Sequence, residues 1–335
     1  MTAKRPPLFL LTGASGVVGS AVARAMPRER LILGTHRTVL GEGYETLSID
    51  IQRPDLGLSE AAYKALAERL TGIIHSAAIT EMGGAAPGLE ATNVSGVVHV
   101  LALAERAGCA FHHISTAYCS RTYGPAATEG SAYVTSKRAG EALVRESGLD
   151  WTIIRPSIVA GRSDTGAIAR FQGFHLFIAA MLKGRLPFIP ISRSALCDFT
   201  PVDWIADAIV RCAEAPEFGR TYWLTAGSDA LTVEQMIDCG QPFARALGRD
   251  LHALPIVEPE DARATLMPAL AKRGSPRLRG QLETLLELGT VMATPKPFPS
   301  DFPKVSRSQL EAALSANIRY WGETRGRPFE KGVGA

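Results

Sequence analysis

The 335-residue chain is short of the features that mark secreted, membrane-bound and nucleic-acid-binding proteins. Its five cysteines (Cys109, Cys119, Cys197, Cys212 and Cys239) are odd in number and contain no C-x-x-C pair. That excludes the spacing of a dithiol redox site or a cysteine-rich zinc site, and fits reduced thiols in a cytoplasmic protein. Only residues 8–11 form an apolar run near the N-terminus, too short for a signal peptide or a membrane span. Charge of one sign is lacking too, since the formal net charge is only +3. With no arginine-rich stripe interleaved with aromatics, nucleic acid is not an expected partner. There is no internal repeat and no long disordered tract. What remains, 46% hydrophobic and 21% charged residues, is the balance of a globular enzyme. Its length suffices for one large α/β domain, or for such a domain with a smaller lobe.

The N-terminal half alternates short apolar runs with amphipathic stretches. Residues 8–12, 31–34, 46–49, 72–76, 110–115 and 151–155 read as buried strands; residues 17–26, 59–69, 89–107 and 132–146 read as helices. That alternation predicts right-handed βαβ crossovers and a Rossmann-type doubly wound parallel sheet. The crossover 35–45, with two glycines, is expected to hold little helix. Beyond Arg155-Pro156 the rhythm loosens. Helices are expected at 168–183, 202–213 and 232–247 and a strand at 222–225, whereas proline and charge obscure 251–303. The division expected is a dinucleotide-binding domain over 1–160 and a smaller substrate-binding lobe over 161–335, with 196–228 returning to the sheet.

Thr12-Gly-Ala-Ser-Gly-Val-Val-Gly19 follows the first strand and opens the first helix. Small residues let the backbone approach a pyrophosphate, whose charge then meets the N–H groups of the helix N-terminus. Further on, Ser131-Ala-Tyr-Val-Thr-Ser-Lys137 places a tyrosine and a lysine four positions apart, on one face of a helix. An ammonium beside a phenol favours the phenolate, which predicts a lowered Tyr133 pKa and proton transfer near neutral pH.

T-G-x-x-G-x-x-G resembles the extended branch of the short-chain dehydrogenase/reductase superfamily, and the resemblance continues in register. His75-Ser-Ala-Ala78, Asn93-Val-Ser-Gly96, His113-Ile-Ser-Thr-Ala117, Tyr133/Lys137 and Arg155-Pro-Ser157 match that superfamily's motifs in order. The resemblance implies that Gly13, Ser15, Gly16, Val17 and Gly19 lie against the pyrophosphate, and that Asp50 and Ile51 contact the adenine. It likewise implies Ala77 and Ala78 beside the ribose, Lys137 on the nicotinamide ribose, and Pro156 and Ser157 near the carboxamide. Thr116 and Tyr133 would bond the substrate oxygen, Tyr133 as general acid in reduction, and Asn93 would support a water relay behind Lys137. Ser115 is expected to face away.

The second strand ends Leu33-Gly-Thr-His-Arg-Thr38 with no acid to read a ribose 2′-hydroxyl. Arg37, with His36 beside it, offers a charge-assisted fork for a 2′-phosphate, so NADP(H) is favoured over NAD(H). His112 and His113, adjacent on a strand, face opposite ways and cannot hold one metal together, so no metal is expected. Trp204, Trp223 and the Phe171/Phe174/Phe177 group read as core.

Cys197-Asp-Phe-Thr-Pro-Val-Asp-Trp-Ile-Ala-Asp-Ala208 and Ser115-Thr-Ala-Tyr118 resemble segments of fatty acyl-CoA reductases and carrier-protein thioester reductases. Those enzymes carry a long insertion between the second and third strands, where this chain has only 35–45. The resemblance implies a small, apolar carbonyl or thioester substrate, either free or delivered on an acyl carrier. A ketone or aldehyde reductase, a sugar-nucleotide epimerase or dehydratase with tightly bound cofactor, and a non-catalytic dinucleotide sensor stay open as alternatives. Homodimerisation through helices 89–107 and 132–146 is common in the superfamily and is not decided by these residues.

Overall fold

A computed structural model describes residues 7–36, 43–80, 87–124, 130–183, 188–189, 191–192, 194–268, 280, 283, 286, 289, 293–294, 296–302 and 305–325. The chain divides into two compact units. The first comprises Met1–Cys119, Gly130–Pro156 and Asp203–Leu224; the second comprises Ser120–Glu129, Ser157–Val202 and Thr225–Ala335.

The first unit is built on seven strands: β1 (Phe9–Thr12), β2 (Leu31–Thr35), β3 (Glu45–Ser48), β4 (Gly72–His75), β5 (Ala110–Ile114), β6 (Trp151–Pro156) and β10 (Arg220–Leu224). All neighbours pair in parallel, in the order β3-β2-β1-β4-β5-β6-β10. The sheet is therefore doubly wound, and its strand order reverses between β1 and β4, where such sheets bind ligands. The expected strands match to within one or two residues at each end. The 35–45 crossover lies largely outside the described residues.

Apolar side chains drive this packing. Leu10, Ile32, Ile73, Phe111 and Ile153 come from five strands that are neighbours in the sheet and share one core. Helices α2 (Glu60–Ala67) and α3 (Gly96–Ala107) add Tyr63, Leu66, Val97, Val100, Leu101 and Ala104 to that core. Helix α1 (Val17–Ala25) opens directly from the glycine loop. Helix α4 (Ala132–Glu146) starts at Ser131, whose hydroxyl accepts from the Val134 N–H. A π-helical turn, Ala91–Ser95, runs into α3 and inserts an extra residue into a stretch that reads as plain helix.

The second unit carries shorter strands. β7 (Ile158–Ala160) pairs in parallel with β9 (Phe199–Pro201). β8 (Leu196–Cys197) lies between β11 (Leu231–Thr232) and β12 (Ala293–Thr294), antiparallel to both. Helices α5 (Gly173–Lys183), α6 (Val233–Ala246) and α7 (Arg307–Thr324) pack in the same unit. Residue 168 lies outside α5, which begins five residues later than the sequence pattern suggests. Among the described residues no helix is long and apolar enough to cross a membrane.

Candidate active site

The glycine loop has the geometry an anion cradle needs. Gly13 sits at φ +68°, and a Cβ there would come within 2.6 Å of the Ala77 backbone. A Cβ at Gly19 would fall 2.2 Å from the Gly13 carbonyl, so the turn closes only without side chains. The Gly16 N–H donates to the Gly13 carbonyl at 2.8 Å. Gly16 caps α1 without a side chain, and no acidic residue occupies the first helical turn. An anion there meets N–H groups and the positive end of the helix dipole, with no acidic side chain in the first helical turn to repel it. Ser15 is exposed, and Val17 is buried. The cradle therefore suits a pyrophosphate. Thr12 ties the neighbouring strand ends together: its Oγ1 lies 2.8 Å from His75 Nδ1 and accepts from the Ala77 N–H at 3.3 Å.

Past β2, the exposed ring of His36 approaches Asp50, with Nε2 3.8 Å from Oδ2. Arg37 lies outside the described residues. Asp50 also accepts from the Gln52 N–H, and the Ile51 side chain packs on Gly96 at the start of α3. Ala77 and Ala78 are half-buried at the end of β4.

Thr116 and Tyr133 are brought together. Both are buried, and the Tyr133 phenol hydrogen-bonds the Thr116 side chain. Ser115 turns the other way and donates to Glu141 at 2.6 Å. Lys137 is also buried, but its Nζ donates to the Ile114 carbonyl at 2.7 Å and lies 3.4 Å from His113 Nε2. The electrostatics differ from the sequence expectation. Burial pushes the Tyr133 phenol up from its ordinary value, with the Thr116 hydrogen bond only partly offsetting it. Burial also pulls the Lys137 ammonium down to about 8. Desolvation thus outweighs any help the ammonium gives the phenolate, and Tyr133 holds its proton at neutral pH.

Asn93, in the π-helical turn, uses its side-chain amide fully. Its Oδ1 accepts from the Ile79 N–H at 2.9 Å, and its Nδ2 donates to the Ile79 carbonyl at 2.9 Å and to Ser136 Oγ at 3.0 Å. This clamps the segment after β4 onto α4. Gly140, one turn beyond Ser136, lets α4 lie close: a Cβ there would be 3.2 Å from the Asn93 carbonyl and 3.5 Å from His113 Nε2.

The largest omission of the sequence reading is Glu141. It follows Lys137 by four residues and Tyr133 by eight, on the same helix face. Buried, it binds Arg155 through two oxygens at 2.8 and 2.6 Å, and Arg145 at 3.3 Å. Arg155 in turn lies over the Trp223 ring, 4.8 Å from its centroid. One carboxylate therefore joins α4, β5 and β6. Cys119 lies 3.6 Å from Ser115 Oγ, and burial raises its thiol, so it is not a thiolate nucleophile. His112 and His113 do engage different partners: His112 Nδ1 lies 2.8 Å from Thr152 Oγ1.

Pro156 ends β6 in the first unit. Within the second unit, Ser157 lies 3.0 Å from Thr200 Oγ1 and hydrogen-bonds Asp198. Asp198, also missed in sequence, is fully buried and accepts from the Ala226 and Gly227 N–H groups at 2.8 and 3.0 Å. Burial nevertheless pushes its carboxyl up to about 6.

Comparison with known proteins bears on the family and the fold. The NAD-binding family described as Male sterility protein matches residues 36–209. The chain is 25% identical over 232 residues to the glycine betaine reductase ATRR of Emericella nidulans, covering 63% of this chain and 18% of that protein. It is 27% identical over 214 residues to the ceramide reductase of Caulobacter vibrioides, covering 62% of each. It thus spans less than two thirds of either relative. Among solved structures, the terminal R domain of the myxalamid PKS-NRPS pathway superposes with a TM-score of 0.75 at 23% identity, covering 98% of this chain and 94% of that one. Bordetella bronchiseptica WbmH, solved with NAD+, gives a TM-score of 0.64 at 18% identity, covering 95% and 99%. With the family match extending over just over half of its length, the chain belongs to the NAD-binding Male sterility protein family, within the extended short-chain dehydrogenase/reductases.

Proposed function

We propose that this protein reduces a carbonyl group (ketone, aldehyde or acyl thioester) with NADPH, using Tyr133 as general acid. The observation that carries the reading is the buried Tyr133–Thr116 hydrogen bond at the carboxyl end of β5, with Lys137 one turn along α4. A phenol that keeps its proton at neutral pH suits reduction, because the carbonyl oxygen gains negative charge and must be given a proton. Thr116 offers that oxygen a second hydrogen bond. As the proton leaves, the nearby Lys137 ammonium stabilises the phenolate left behind.

The nicotinamide, when bound, supplies the hydride. Gly13, Ser15, Gly16, Val17 and Gly19 would hold its pyrophosphate, and Asp50 and Ile51 its adenine. Ala77, Ala78 and Lys137 would hold the ribose side, and Pro156 and Ser157 the carboxamide. His36 and Arg37 would favour the 2′-phosphate of NADPH over NADH. Asn93 fixes the segment after β4 against α4 through Ile79 and Ser136.

The glycine betaine reductase and the ceramide reductase among the relatives favour a reductive reaction, and a solved thiolation-reductase di-domain among the structural neighbours favours a substrate carried as a thioester. The test is cofactor consumption with NADPH and NADH against an acyl-CoA, a long-chain aldehyde and an aromatic ketone, with mass spectrometry of the products. NADPH should be consumed with at least one of them. Tyr133→Phe should lower kcat by about 10²–10⁴-fold while cofactor affinity stays unchanged. No net consumption with any substrate would turn the reading to an epimerase or a sensor.

A further inference from the structure

His113 is a buried polar ring that the proposed chemistry leaves without a task. It is fully buried on β5, with Nε2 3.4 Å from Lys137 Nζ. Its other face stacks on His75 from β4, at 5.6 Å between ring centroids and 18° between planes. Burial, together with the Lys137 charge, keeps the imidazole neutral. A neutral ring accepting at Nε2 carries its proton at Nδ1. That Nδ1 is buried without a hydrogen-bond partner among the described residues. A phenyl ring would fill the same space without stranding a polar atom, so packing alone does not account for a histidine here.

We propose that His113 is a positioning residue for Lys137. Its Nε2 and the Ile114 carbonyl together fix the ammonium and set the pH range over which it stays charged. The Asn93 amide cannot share this task directly, since its hydrogen bonds go to Ile79 and Ser136. Facing Lys137 from β5 are His113 and the Ile114 carbonyl, and from the turn after β5 Cys119. On its own helix stand Tyr133 and Glu141, while His75 and the Arg145 charge act on His113 from beyond it. Burial lowers the ammonium pKa, and Cys119 and Glu141 oppose that shift. A neutral acceptor at Nε2 works with Cys119 and Glu141, because a hydrogen bond to the charged form favours it. The significance for turnover rests on the reductase reading; the contact between the two side chains does not.

The experiment therefore reads Lys137 directly. In protein labelled at lysine 13Cε, comparison with Lys137→Arg assigns its signal among eight lysines. His113→Phe should lower the Lys137 pKa by about one unit. His113→Gln, which returns a side-chain oxygen near the place of Nε2, should restore most of the shift. The basic limb of the kcat profile should move in step with both. A folded His113→Phe protein with an unmoved Lys137 titration would overturn the proposal. If His113→Phe does not fold, the ring 15N signals of His113 in the wild type and in Lys137→Met decide instead. A displaced Nε2 signal supports the contact, and an unmoved one rejects it. Neither spectrum needs turnover, so failure of the reductase reading remains a separate result.

Discussion

In the first unit, buried polar side chains pair mainly with one another: Thr12 with His75, Thr116 with Tyr133, His113 with Lys137, and Ser115 and Arg155 with Glu141. In the second unit, Asp198 is satisfied by two backbone N–H groups and the Ser157 hydroxyl. The difference bears on function. A carboxylate saturated by backbone holds a turn in place, and its donors have no other position to adopt. Side chains paired across strands and helices can exchange partners when a ligand arrives, as Thr116 and Tyr133 would under the proposed function.

The sharpest way to break this contrast is acid. His75, His112 and His113 of the first unit are neutral by burial, His75 down to about 3 and His112 to about 4, against an ordinary 6.5. The unfolded chain therefore takes up protons first, and stability present above pH 6.5 is lost as pH falls towards the folded values. Each ring costs up to about 2 kcal/mol at pH 5. In the second unit His175, down to about 4, acts likewise, but Asp198 opposes it. Its folded value of about 6 lies above the ordinary 3.8, so it gains stability as pH falls through 6. Hydrogen exchange at pH 5 and pH 7.5 should find the loss of protection concentrated in β4, β5 and α4. Equal loss in both units would dissolve the contrast.

Next in size, Glu141→Ala should cost about 3–5 kcal/mol in urea denaturation, since it leaves the Arg155 guanidinium half-buried without its carboxylate. Asp198→Asn keeps one acceptor and removes a buried charge, so its cost should be only about 1–2 kcal/mol by the same measurement. Reversal of that order would mean that backbone donors, not the ion-paired hub, carry the greater load. The smallest effect should come from Ser306→Ala in the second unit. It removes the capping box with Gln309 at the start of helix Arg307–Thr324, and a thermal melt should register about 1 kcal/mol.

The sheet was legible because its strands are short apolar runs separated by helices of clear period, and local pattern suffices for both. The glycine loop and the Tyr133/Lys137 pair were legible for the same reason, since each depends on spacing within one element. Glu141 shares the helix face of that pair, but its partners lie elsewhere in the sheet, Ser115 just past the end of β5 and Arg155 on β6, and only tertiary packing brings them together. The Lys137 contact with the Ile114 carbonyl is likewise invisible to spacing. In the second unit, two- and three-residue strands are too short for periodicity to register, and β7 meets β9 only across some forty residues of chain. Asp198 could be read as part of a motif, yet nothing local indicates that the turn at Ala226 and Gly227 folds over it.

Gly140 gives the site a seating height. Tyr133 and Lys137 ride on one rigid helix, so any lift of α4 from β5 moves the proton donor and the ammonium as a unit. A single methyl at position 140 would act as a shim, pressing on the Asn93 carbonyl at 3.2 Å and asking for a few tenths of an ångström of clearance. Proton transfer is sensitive to distances of that size. The reactivity of this helix is thus adjustable from a position that carries no reactive atom, by thickness alone.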